Sequence, residues 1–249
     1  MDKPAPAIPR PAATLMLLRD GPAGPEVLLV ARTREVDFAA GALVFPGGRV
    51  EEADGVLAPG EDALGAFRIA AIREAWEEIG ILMARPPAPP VEVATPFGME
   101  LRARGVRPQP ERLVHFAHWV TPEHAPKRFD THFFAALAPE GQVAAHDGRE
   151  AVDCAWLRPQ DALDQAAEGR WNLVFPTRLN LRRLARFASA AEALDAAART
   201  PVVTVMPVPK PDGAGGVNLH IPEAAGYGGG IFPAIDRPAS GGRWPGQIS

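Results

Sequence analysis

Arg73-Glu74-Ala75-Trp76-Glu77-Glu78-Ile79-Gly80-Ile81 carries three glutamates at helical spacing. Glu74 and Glu77 are three positions apart, and Glu74 and Glu78 four. On a helix such residues share one face, with Cβ atoms roughly 5–6 Å apart. The helical register extends beyond the acids: Leu64, Phe67, Ala71, Ala75 and Ile79 recur every three or four residues. A helix over 62–83 is therefore expected, with Gly80 as a stop signal. A solvated face with Arg73 and Glu77 paired at (i, i+4) would account for the hexamer alone. The surroundings weigh against it, since a Gly-Gly turn precedes the helix and a glycine ends it. Three carboxylates this close repel one another unless a divalent cation lies between them. Hard oxygen donors favour Mg²⁺ or Mn²⁺ over zinc.

Upstream, the apolar step at 42–45 is halted by Pro46-Gly47-Gly48. A glycine pair after proline allows a sharp turn and a close approach of ligand to backbone. No GK[ST] follows it, so the turn is not a P-loop. Residues 12–19 (AATLMLLR) and 27–33 (VLLVART), divided by GPAGPE, read as strand–turn–strand. Downstream of the glutamates, a proline-rich loop (RPPAPPVEVATP) precedes expected strands at 115–121, 131–137 and 152–157. Helices are expected at 159–167 and 177–198, the latter with Leu181, Leu184 and Phe187 on one face. Strands and helices alternate without a strict βαβ rhythm, which indicates the α/β class, a mixed sheet between helices. The expected organisation is a flexible arm at 1–11, one domain at 12–199, and an extension at 200–249 comprising a hairpin and a Gly/Pro-rich tail.

Composition bounds the function. The chain has 249 residues, 47% hydrophobic and 22% charged, as in ordinary globular proteins. A formal net charge of -4 gives no reason to expect duplex nucleic acid as the main partner. The single cysteine, Cys154, excludes an internal disulfide and a cysteine-built metal site, and its AVDCAWL context reads as a buried small hydrophobe. His115, His118, His124 and His132 match no zinc-ligand spacing. There is no signal-peptide core and no apolar run long enough to span a membrane, so cytoplasmic location is the default expectation.

The stretch from Arg73 to Ile81 resembles the Nudix family's box: a glycine, five residues, a glutamate, seven residues, then R-E-aliphatic-x-E-E-x-G-aliphatic. Ala75 stands at the first aliphatic position. Counting from Gly48 places Asp54 where the family has glutamate, and the longer spacing from Asp54 to Arg73 marks an insertion at roughly 55–64. An insertion there resembles the branch that includes peroxisomal coenzyme A diphosphatases and their bacterial relatives. KRFDTHFF at 127–134 and FPTRLNL at 175–181 also look like that branch. The likeness spans residues 12–187.

The resemblance implies an α/β/α sandwich and hydrolysis of a diphosphate linkage to a nucleoside, with coenzyme A or acyl-CoA as the favoured substrate. ADP-ribose, NADH and nucleotide sugars remain open, as does a homodimer. Glu74, Glu77 and Glu78 are expected to hold the metal, with the Gly47 carbonyl completing the sphere. Arg73 is expected to orient a glutamate and pair with Asp54. Glu150 is the expected base or further ligand, Asp153 the alternative. Arg32 fits the branch's LLTxRSxxLRxHxG pattern, whose later arginine and histidine are absent from LLVARTREVDFAAG. Arg32 and Arg128 are the expected phosphate contacts. A non-catalytic nucleotide-binding module is the competing class, and the intact glutamates favour the enzyme.

Overall fold

The computed structural model describes residues 5–32, 42–58, 60, 62–87, 96–146 and 151–234. A mixed sheet dominates it. Strands β1 (Arg10–Gly21) and β2 (Gly24–Arg32) form an antiparallel hairpin, with β3 (Leu43–Val44) beside β2 and β4 (Gly47–Arg49) antiparallel to β1. Two helices follow, α1 (Glu52–Leu57) and α2 (Gly65–Ile79). Next come β5 (Ala84–Arg85), α3 (Phe97–Arg104) and β6 (Arg107–Pro108), with β5 and β6 paired apart from the main sheet. The main sheet continues with β7 (Val114–Val120), β8 (Phe129–Leu137) and β9 (Ala151–Leu157). β8 lies parallel to β1 and antiparallel to β7, and β9 is antiparallel to β2.

β1 explains the layering. Its side chains alternate between faces, and both faces are covered, so it reads as one apolar run. Ala13, Leu15 and Leu17 enter a core with α2 and α3, against Ile69, Ile72, Ile79, Phe97 and Leu101. Met16 and Leu18 enter a second core on the opposite face, built with α4 (Pro159–Ala167), α5 (Phe175–Leu184) and α6 (Ala190–Arg199). The architecture is an α/β/α sandwich around a mixed sheet, as expected.

Three features depart from the sequence reading. The glutamate helix is shorter than 62–83: Gly80 terminates it in the left-handed region, φ 69°, its amide donating to the Trp76 carbonyl. The helix expected over 177–198 is two helices. Ser189 caps α6, its hydroxyl accepting the Glu192 amide at 3.1 Å, while the Glu192 carboxylate accepts the Ala188 amide. The stretch after residue 200 adds more than a hairpin. β10 (Thr204–Val205) joins the main sheet parallel to β7, and β11 (Val208–Pro211), β12 (Val217–His220) and β13 (Ile231–Pro233) form a three-stranded sheet. The Gly/Pro-rich tail from residue 235 lies outside the described residues. At the other end, the arm reaches into the fold, since Arg10 and Pro11 already pair with β8.

Candidate active site

Arg73 organises the acids. Its five N–H groups meet five acceptors: Nε and Nη2 donate to the two Asp54 oxygens at 2.9 and 3.0 Å. Nη1 donates to Glu74 Oε1 at 2.8 Å and Glu77 Oε2 at 2.9 Å, and Nη2 also to the Arg49 carbonyl at 2.8 Å. This is the full donor capacity of a guanidinium. Burial works against the charge on Arg73, but the Asp54 hydrogen bond and the charges of Glu74, Asp54 and Glu77 outweigh it, so its pKa rises. Burial pushes the Glu77 carboxyl up, with Arg73 opposing.

The glycine turn sets the other side. Gly47 on β4 donates its amide to Glu78 Oε2 at 3.2 Å, and Arg32 Nη1 lies 3.8 Å from Glu78 Oε1. A Cβ on Gly48 would stand 2.5 Å from the Glu74 carboxylate, so only glycine lets the turn approach that group. A Cβ on Gly47 would stand 2.5 Å from the Ala13 carbonyl oxygen.

Asp54 is fully buried on α1. Its Oδ2 also accepts the Glu51 amide at 2.8 Å. α1 (Glu52–Leu57) therefore returns an acid to Arg73 despite the longer spacing.

Glu74 and Glu77 face a cleft of about 1020 Å³, joined there by Glu51. Arg10, Arg32, Arg49 and Lys127 line other parts of it, as do the rings of Trp119, Phe133 and Phe175. Glu74 and Glu77 meet on Arg73, while Glu78 is held by the Gly47 amide and faces Arg32; all three offer hard oxygen atoms. Oxygen donors of this class are those that Mg²⁺ and Mn²⁺ prefer.

The remaining expectations fall differently. Arg128 is buried and does not serve a phosphate: Nε donates to the Thr121 carbonyl at 3.0 Å, Nη1 to the Ala7 carbonyl at 2.7 Å, and Nη2 points to Met206 Sδ at 3.8 Å. Glu150 lies outside the described residues. Asp153 sits on β9 and accepts the amide of Cys154. Cys154 is half-buried, and burial raises its thiol pKa. Trp76 is buried in the core with its ring 5.6 Å from Phe97.

The sequence reading did not single out Glu51, Arg49, Arg10 or Lys127. The acidic run Glu51-Glu52-Ala53-Asp54 after the glycine turn was the available signal for the first.

The histidines gather on the α2 side of β7 and β8. His118 and His132 stack at 4.0 Å, 8° from parallel, and Phe67 of α2 packs on His132. His118 Nε2 contacts Asp130 Oδ1, its Nδ1 lies 2.8 Å from Thr204 Oγ1, and His132 Nδ1 lies 3.0 Å from His115 Nε2. Ligand atoms of His118, Asp130 and His132 come within 4.8 Å of one another. Parallel rings, however, direct their nitrogen lone pairs in parallel planes, away from a shared point. As placed, the cluster is a hydrogen-bond network. Burial, followed by the charge of His118, pulls both His115 and His132 down to about 4.

The NUDIX domain model matches residues 9–175. The chain is similar to the putative nudix hydrolase 7 of Caenorhabditis elegans, 28% identical over 171 residues, covering 64% of this chain and 56% of that protein. It is also similar to the acyl-coenzyme A diphosphatase NUDT19 of Homo sapiens, 28% identical over 250 residues, covering 74% of this chain and 67% of that protein. The chain thus spans little more than half the length of the worm relative. Among solved structures, a NUDIX hydrolase from Alicyclobacillus acidocaldarius matches with a TM-score of 0.67 and 28% identity, covering 76% of this chain and 96% of that one.

Proposed function

This chain belongs to the NUDIX domain family, and from that premise we propose that it is a metal-dependent hydrolase cutting the diphosphate linkage of a nucleoside diphosphate derivative. The observation that carries this is Arg73 binding Glu74, Glu77 and Asp54 at once, with Glu78 of the same helix held by the amide of Gly47 in the glycine turn. Nothing in core packing requires carboxylates there. Brought onto one ion, they would favour a divalent cation over solvent.

Glu74, Glu77 and Glu78 are the residues that would hold Mg²⁺ or Mn²⁺. Such an ion, when bound, would neutralise phosphate oxygens and make water a better nucleophile. Arg73 touches no substrate in this account; it positions Glu74 and Glu77 through fixed hydrogen bonds. The Gly47 amide and Arg32 hold Glu78 from the opposite side. Arg32 and Arg49, on the cleft wall, supply positive charge for the phosphates as bonds break. Glu150 is the proposed base.

For the substrate we favour coenzyme A or an acyl-CoA, supported by the name of the human relative. ADP-ribose, NADH and nucleotide sugars are the alternatives. A module that binds a nucleotide without cutting it is disfavoured by the complete glutamate set. Incubation of the protein with coenzyme A, ADP-ribose, NADH and a nucleotide sugar, with Mg²⁺ or Mn²⁺, tests the proposal. Release of the nucleoside phosphate cut from the diphosphate (adenosine 3',5'-bisphosphate from coenzyme A, a nucleoside monophosphate from the others) supports it; tight binding with every substrate uncut sinks it.

A further inference from the structure

We propose that the segment beyond α6, outside the residues matched by the NUDIX model, forms the wall of the cleft that holds the acyl arm of the substrate. The proposal rests on the hydrolase function above and deepens it.

Pro207, Pro209 and Leu219 line the same cleft as Glu74 and Glu77. The sheet geometry explains how. β10 pairs with β7 at Val205 and Trp119, which carries the chain to Pro207 beside the Trp119 strand. Pro209 and Leu219 are opposite partners across β11 and β12, and directly opposed residues project to one side of a sheet. The floor behind them is aromatic: Trp119 lies edge-on to Phe175 at 5.6 Å. Its orientation is fixed by its Nε1 donating to the Tyr227 hydroxyl at 3.0 Å. Tyr227 in turn donates to Asn180 at 2.7 Å.

The chemistry of this wall selects its occupant. Proline has no N–H, and neither leucine nor the faces of the rings can satisfy a phosphate or a sugar hydroxyl. The arginines and lysine that line the cleft are Arg10, Arg32, Arg49, Arg73 and Lys127, and none comes from the wall segment. A volume of about 1020 Å³ is at the upper end for a small-molecule site, roughly 300–1,000 Å³. A ligand with a diphosphate at one end and, beyond a spacer arm, a methylene chain can place phosphate on the cations and the chain on this apolar wall. An acyl thioester of coenzyme A has that composition.

The test is steady-state kinetics and equilibrium binding on the full chain with acetyl-, butyryl- and octanoyl-coenzyme A, alongside ADP-ribose. KM should fall severalfold from acetyl to octanoyl in the unaltered protein. In Leu219→Asp that dependence should flatten, with the octanoyl KM rising about tenfold, as expected when roughly two methylenes lose apolar contact, and kcat changing much less. Pro209→Asp, at an exposed position, should give the same result if Leu219→Asp fails to fold. A KM independent of chain length, or an unchanged dependence in the variants, overturns the proposal. Cleavage of ADP-ribose without cleavage of any thioester overturns it too, while leaving the hydrolase intact. If nothing is cut, the hydrolase proposal falls, and calorimetric binding decides the wall: octanoyl-coenzyme A tighter than coenzyme A supports it, equal affinity overturns it.

Discussion

Arg73 and Asp54, 19 residues apart, form a buried two-point ion pair in which both carboxylate oxygens meet separate guanidinium nitrogens. Side-chain exposures of 6% and 1% leave almost no solvent to replace either partner. Asp54→Ala should therefore lower the unfolding free energy by about 3–5 kcal/mol, the range for stranding one member of a buried pair. A urea titration reads this as a lower midpoint at unchanged slope; a midpoint within error of the unaltered protein would contradict it.

Glu78→Gln keeps the shape of a proposed ligand and removes its charge. Turnover should fall on the order of 10³-fold, with the circular dichroism spectrum and melting temperature preserved. Treatment with EDTA should abolish the activity of the unaltered protein, and added Mg²⁺ should restore it. Glu150→Gln should reduce turnover as well, but less than Glu78→Gln if Glu150 only supports a ligand. A full rate in Glu78→Gln would remove that residue from the site.

The two glycines of the turn should separate activity from stability. At Gly48 an added Cβ meets the flexible end of Glu74, so Gly48→Ala should displace that carboxylate and depress turnover with little loss of stability. At Gly47 the obstruction is the backbone of β1, which cannot swing aside. Gly47→Ala should destabilise the fold by about 1–3 kcal/mol. Equal effects of both variants on the melting temperature would refute the distinction.

His115 and His132 give the fold an acid sensitivity. Both have folded pKa values of about 4, below the usual 6.5, so the unfolded chain binds more protons between those values. Stability from keeping them neutral is fully present above pH 6.5, is lost progressively as pH falls, and levels off below about pH 4. His132→Phe should lessen the fall in urea midpoint between pH 6.5 and pH 4. An identical pH profile in the variant would exclude His132 as a source.

The fold was largely legible because β1 is apolar on both faces and the central helix keeps strict spacing. Most expected strands lie within a few residues of their observed ends. The single helix at 177–198 misled because Leu181, Leu184 and Phe187 keep the period while the cap at Ser189 and Glu192, a Ser-x-x-Glu signature, interrupts it. That Glu74, Glu77 and Glu78 share one helix was legible because neighbours on one helix need no tertiary information. The pairing of Asp54 with Arg73 was expected from the family resemblance and not from helix spacing, since Asp54 arrives through α1; the carbonyl partners of Arg128 had no signal at all. Short-range spacing cannot report either outcome, nor a cleft wall supplied by strands from the far end of the chain.

Arg128 also ties together parts of the chain that are remote in sequence. Its guanidinium grips the carbonyl of Ala7, 121 positions away, and touches Met206 on the segment after α6. Ala7, near the start of the described chain, and Met206, just after α6, are thus fastened by one side chain, so trimming either by a protease should loosen the other. Nicking of the leading residues and of the trailing strands should then proceed at linked rates, and a fusion placed at the front would be felt beside the wall of the cleft.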